Sequence, residues 1–144
     1  MTPDKIFQLC STIAMIGWIV LIILPHWQNV DRFLIGIIIT LFCIVYVWII
    51  VSDFRLSDMS SFGSLDGVMQ LFTNKSLVTA GWVHYLAFDL MTGIFIRKNA
   101  QKNGISHWVT IPCLLLTFML GPVGLLLYLL IRWIVTRIYF ADNY

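Results

Sequence analysis

The chain has 144 residues, 60% of them apolar and 11% charged, against about 45–50% and about 25% in an ordinary soluble domain. Such a composition excludes a conventional water-soluble enzyme and makes the hydrocarbon core of a bilayer the natural solvent. The formal charge of +2 is scattered over loop ends with no basic run, which argues against a nucleic-acid partner.

A membrane-spanning helix needs about 20 mostly apolar residues, and four such runs follow one another. The first, 6–24, has neither the basic flank nor the small-residue cleavage site of a signal peptide and runs into Pro25-His26-Trp27, so it reads as helix one. The second is 33–52. The connector from Asp53 to Ser76 is long, and Phe62, Leu65, Val68, Met69, Leu71 and Phe72 recur in it at three- and four-residue spacing. That spacing predicts a short amphipathic helix on the membrane surface, with Asp66 inside it. Runs 77–96 and 108–131 complete the set. The short connectors 25–32 and 97–107 predict antiparallel neighbours. The expected fold is therefore all-α: one domain, 1–144, forming a multi-pass integral membrane four-helix bundle.

On that topology the basic residues divide evenly. Lys5, Arg55, Lys75, Arg132 and Arg137 fall on one side and Arg32, Arg97, Lys98 and Lys102 on the other, leaving no orientation bias. Cys10, Cys43 and Cys113 lie singly in helices, without the spacing of a zinc or redox motif, and read as small apolar fillers. The fourth run holds Pro112 and Gly121-Pro122-Val123-Gly124, which predicts a kink near Gly121. Close helix packing and a ligand crevice explain that break equally well.

Asp89 is the most informative residue. A carboxylate near mid-bilayer costs about 2.5–3.5 kcal/mol even on lenient scales. With helix three starting at Leu77, Asp89 lies about 18 Å into a core of about 30 Å, and His84 about 10 Å. Either could be structural, Asp89 as a hydrogen-bonded group between helices and His84 satisfied by a carbonyl. Two titratable groups in one low-dielectric span are also the usual material of proton transfer. His26 and His107 belong to connectors on the opposite face, so no three-histidine metal site is expected, although His84 with Asp53, Asp58 and Asp66 on its own side could hold a metal without forming a diagnostic site. Trp27, Trp82, Trp108 and Trp133 lie near helix ends, where tryptophan anchors to the interface. Trp18, Tyr46, Trp48, Tyr85 and Phe88 are deeper and either pack or line a pocket for a flat conjugated ligand.

The string Ala80-Gly81-Trp82-Val83-His84-Tyr85-Leu86-Ala87-Phe88-Asp89-Leu90 resembles the helix-three signature of the abscisic-acid-deficient membrane protein family, whose plastid and bacterial members are similar to plant neoxanthin synthase. Phe62 to Phe72, with Leu65-Asp66-Gly67, looks like the same family. So do Gly104-Ile105-Ser106-His107 with Pro112-Cys113-Leu114-Leu115-Leu116-Thr117, and Gly121-Pro122-Val123-Gly124-Leu125. Where the family commonly has glutamate in the connector, this chain has Asp66. The resemblance implies carotenoid or related polyene chemistry in the bilayer. An isomerase that opens an end-ring epoxide to an allenic alcohol would use Asp89 as acid and His84 as base, with Asp66 a further candidate. Trp82, Tyr85, Phe88, Gly121 and Pro122 would bind the polyene, and the isomerisation requires no cofactor. Alternatives are a carotenoid-cleaving oxygenase making retinal-type aldehydes, a non-catalytic carotenoid-binding or assembly protein, and a proton-coupled carrier. Whether the chain forms a homo-oligomer is left open.

Overall fold

The computed structural model describes residues 1–137, the side chains of Leu56 and Ser57 excepted. Every regular element among the described residues is helical. Helix α1 (Pro3–Ile23) opens with proline in its first turn, where no donor is lost, and with Asp4 at the positive end of the helix dipole. It stops short of Pro25, whose ring disfavours a helical predecessor. Val30–Asp53 then runs as one rod of 24 residues. It is built from α2 (Val30–Phe33), a π-helical stretch Leu34–Ile39 and α3 (Thr40–Asp53). The Thr40 hydroxyl donates to the Ile35 carbonyl at 2.9 Å, five residues back, and so satisfies a carbonyl within the widened turn. The rod and α1 are both long and apolar enough to cross a membrane.

The connector after α3 is helical in two parts, a 3-10 helix Leu56–Gly63 and α4 (Leu65–Leu71). Ser64 separates them and caps α4, accepting the Gly67 amide at 3.1 Å. Gly67 sits so close to the Ser61 backbone that any side chain would collide, which explains glycine after Leu65-Asp66. Helix α5 (Lys75–Lys102) starts at an Asn74 cap. It ends at Gly104, φ +65°, with the Ile105 amide on the Ala100 carbonyl at 2.9 Å and the Gly104 amide on Gln101. That is a Schellman closure, and it needs a residue that tolerates the left-handed region.

The expected fourth helix is not one helix. Residues 108–131 fall into α6 (His107–Leu120) and α7 (Pro122–Thr136), divided by Gly121 at φ +37°. The chain does more than kink there. Along α6 it runs from His107, bonded to Ile22 at the end of α1, to Met119, whose carbonyl faces the Tyr85 hydroxyl. A continued rod would carry Tyr128 further toward the start of α5. Instead the Tyr128 hydroxyl donates to Asn99, close to the end of α5, at 2.6 Å. Helix α7 therefore doubles back along α6, and Gly124 meets the Cys113 and Thr117 backbone so tightly that only glycine fits. The cause is local: proline removes a donor, glycine supplies the positive φ, and small residues let two helices touch.

Helix α5 is the axle of the fold. A stripe of α1, Ile6, Cys10, Ala14, Trp18 and Leu21, is buried against it. The Trp18 ring lies where a side chain on Gly93 would be, 2.7 Å from that Cβ position. Helices α3, α6 and α7 cover other faces of the same rod. Cys10 and Cys113 are buried, while Cys43 is exposed on α3.

Candidate functional site

Two titratable residues of α5 point into different surroundings. His84 lies on an apolar groove of about 450 Å³ between α3 and α5, covered by the connector. The walls are Tyr46, Ile50 and Phe54 from α3 and Leu77, Ala80, Gly81 and His84 from α5. Met59, Phe62, Leu71 and Phe72 close it from the connector. Both walls are single helix faces, with α3 contributing residues four apart and α5 residues three and four apart. The His84 ring stacks on Phe88, centroids 4.5 Å apart, and lies 5.7 Å from the Tyr46 ring. Neither the imidazole nor the Tyr46 hydroxyl hydrogen-bonds to another described residue. The groove thus holds two groups able to donate or accept protons, both available to an occupant. His84 is exposed on this face and not directed into the bundle core. The reason is angular: the core side of α5 is taken by Ala80, Val83, Ala87 and Leu90.

Asp89 is five residues further along α5, about 7.5 Å in rise and about 140° round the axis. It faces the tip of the α6–α7 hairpin. Its Oδ1 is 2.8 Å from where a Cβ on Gly121 would lie. Tyr85, one turn back, interacts with the carboxyl through its side chain, and its hydroxyl approaches the Met119 carbonyl at 3.4 Å. The Asp89 Oδ2 atom is buried without a hydrogen-bond partner. Tyr85, Asp89, Met119 and Gly121 therefore form one polar knot at the break between two half-helices.

The remaining sequence candidates are dispersed. Trp82 turns to α1, its indole donating to the Ser11 hydroxyl at 2.9 Å, with its ring 5.0 Å from Phe7 and 5.4 Å from Tyr85. Phe88 is exposed beside His84, between the groove and the hairpin. Gly121 is buried at the tip, and Pro122, next to it, is exposed. Asp66 is exposed in the first turn of α4 and does not line the groove. His26 and His107 line a separate cleft at the other end of α5. Among the described residues no three His, Cys, Asp or Glu side chains come together as a metal-ligand set. Tyr46, one of the deeper aromatics expected either to pack or to line a pocket, does line one, and it recurs with Ile50 and Phe54 at i, i+4 and i+8 along one face.

A family model described as ABA DEFICIENT 4-like matches residues 5–128. No curated protein and no solved structure matches the chain.

Proposed function

The chain belongs to the ABA DEFICIENT 4-like family, and on that premise we propose that it is a multi-pass membrane protein that isomerises the end group of a carotenoid-type polyene. In this reading α1, Val30–Asp53 and α5 cross the bilayer, and the α6–α7 hairpin enters and leaves from one face. The observation that carries the proposal is the groove: apolar, next to the exposed Phe88, and holding Tyr46 and His84, neither of which hydrogen-bonds to another described residue. A polyene of carotenoid length matches the thickness of a bilayer, so one end ring can occupy the groove while the chain lies along α5.

Opening an end-ring epoxide to an allenic alcohol breaks the carbon–oxygen bond next to the polyene. The adjacent polyene carbon loses a proton, and the electron pair of that C–H bond becomes the second double bond of the allene. The freed oxygen gains a proton, so nothing is oxidised or reduced. In the groove the neutral His84 imidazole takes the carbon-bound proton and the Tyr46 hydroxyl protonates the oxygen. Each contribution is of the order of 10²–10⁴ in rate when a positioned side chain supplies it. Proton return from imidazolium to phenolate resets the pair. An acid role for Asp89 would require the end ring to reach round α5 past Tyr85, so we place Asp89 behind the site, holding the hairpin against α5.

Pigment analysis of a carotenoid-producing host with and without the gene tests the proposal. Disappearance of an epoxy-xanthophyll and appearance of an isomer of identical mass is the expected result. An unchanged pigment profile would refute isomerisation, and a co-purifying but unaltered pigment would establish the binding-protein alternative.

A further inference from the structure

The returning hairpin redistributes charge. Because α7 runs back toward the end of α5, Arg132 and Arg137 join Arg32, Arg97, Lys98 and Lys102, so six of the 9 Lys and Arg residues lie at one end of the bundle. Asp31 is the single acidic residue there among the described residues. At the opposite end Lys5, Arg55 and Lys75 are outnumbered by Asp4, Asp53, Asp58 and Asp66.

The basic end contains a cleft of about 850 Å³ between the connector after α1 and the connector after α5. His26, Asp31, Arg97, Lys98, Gln101 and His107 supply its polar wall. Arg97 is 5% exposed. Its Nη1 donates to the Pro25 carbonyl at 2.7 Å, and its Nη2 pairs with Asp31. Asp31 is shared with Lys98, whose Nζ is 3.3 Å away. One carboxylate therefore faces two cations, and a positive charge is left over in the cleft. The Arg97 Nε hydrogen is buried with no acceptor. A cleft lined by Arg97, Lys98 and His26, with Asp31 the one carboxylate among them, is matched by an oxyanion. Trp27 and Trp108 also line the cleft and are exposed, as are the neighbouring Ile23, Leu24 and Val109. Tryptophans beside exposed aliphatic side chains mark the headgroup level of a bilayer.

We propose that this cleft seats the phosphate of an anionic phospholipid. The headgroup lies against Arg97, Lys98 and His26, and the acyl chains run down the apolar outer faces of α1 and α6. The same charge excess places this end on the cytoplasmic side by the positive-inside rule, where anionic lipid is concentrated. The proposal is independent of the polyene reading, since the groove and this cleft occupy opposite halves of the bundle.

The test uses the full chain in detergent, titrated with phosphatidylglycerol, with phosphatidylcholine, and with phosphatidylglycerol in the presence of inorganic phosphate, reading bound lipid by native mass spectrometry. Phosphatidylglycerol should be retained in preference to phosphatidylcholine, and Lys98→Gln should weaken that retention about fivefold, the worth of one surface cation near anionic lipid. Lys75→Gln, which removes a comparably exposed lysine at the other end, should leave it unchanged. Raising salt should weaken retention by the wild-type protein, a readout that does not depend on any variant folding. Equal retention of the two lipids, or equal loss from Lys75→Gln and Lys98→Gln, would overturn the site. Complete displacement by inorganic phosphate would overturn the lipid assignment in favour of a free-phosphate site.

Discussion

The two sides of α5 put the same kind of residue to different uses. On the groove side His84 meets only aromatic and aliphatic neighbours, and its ring nitrogens remain available. On the hairpin side Asp89 is enclosed by Tyr85, Met119 and Gly121, and its role is read from what surrounds it. Both are titratable groups in an apolar helix, a shared cost that suggests a shared purpose. Their separation of about 140° shows that proximity in sequence does not make them one site. An open polar group in a groove is suited to chemistry on an occupant, whereas an enclosed one at a helix break is suited to fixing that break.

The largest expected effect tests the groove. His84→Gln keeps size and a hydrogen-bonding group but removes the basic nitrogen, and it should lower polyene conversion by about 100-fold or more. Thermal stability of the extracted protein should barely change. Tyr46→Phe should behave in the same way, and full conversion by both variants would break the assignment of chemistry to this side.

The next effect tests the hairpin. Gly124→Ala forces a methyl into the Cys113–Thr117 backbone and should destabilise the protein by about 1–3 kcal/mol or more, as overpacking does. Gly121→Ala should cost a similar amount, through the strain of positive φ and the collision with Asp89. Unchanged melting temperatures for both variants would show that α6 and α7 do not pack as described. Tyr128→Phe is a milder probe of the same return, since it removes the hydroxyl from Asn99 and should cost about 1–3 kcal/mol.

Asp89 sharpens the comparison directly. Asp89→Asn keeps a polar group of the same size beside Tyr85 and Gly121 and should leave conversion within about tenfold of wild type, well short of the loss expected on removing a general acid. Asp89→Leu removes the polar group facing Tyr85 and the hairpin tip and should lower stability by about 1–3 kcal/mol. A 100-fold loss of conversion in a stable Asp89→Asn protein would restore the carboxyl to the catalytic role. The smallest effect is expected at Asp4→Asn. Its pair with Lys75, 3.6 Å apart and largely exposed, should contribute at most about 1 kcal/mol, measurable only at low salt.

Much of this protein was determined by local sequence alone. Apolar runs of spanning length place α1, the Val30–Asp53 rod and the start of α5 within three residues of their observed limits, while α5 runs on to Lys102, past the expected end at 96, because a helix satisfies the backbone of an apolar run along the chain itself. The helical connector is legible in the spacing of Phe62, Leu65, Met69 and Phe72, and Ser64, Asn74 and Gly104 sit at helix ends in keeping with their capping chemistry. Gly121-Pro122 announces a break, yet a kink and a full reversal share that local signature. Only contacts between distant residues, Tyr128 with Asn99 and Gly124 with Cys113 and Thr117, distinguish them. The reversal in turn moves Arg132 and Arg137 to the other end and turns an even division of charge into a strong asymmetry. The same limit applies to the site. Helical periodicity fixes the angle between His84 and Asp89 but not which neighbour fills each face, so the pairing of His84 with Tyr46 was decided by the packing of α3 against α5.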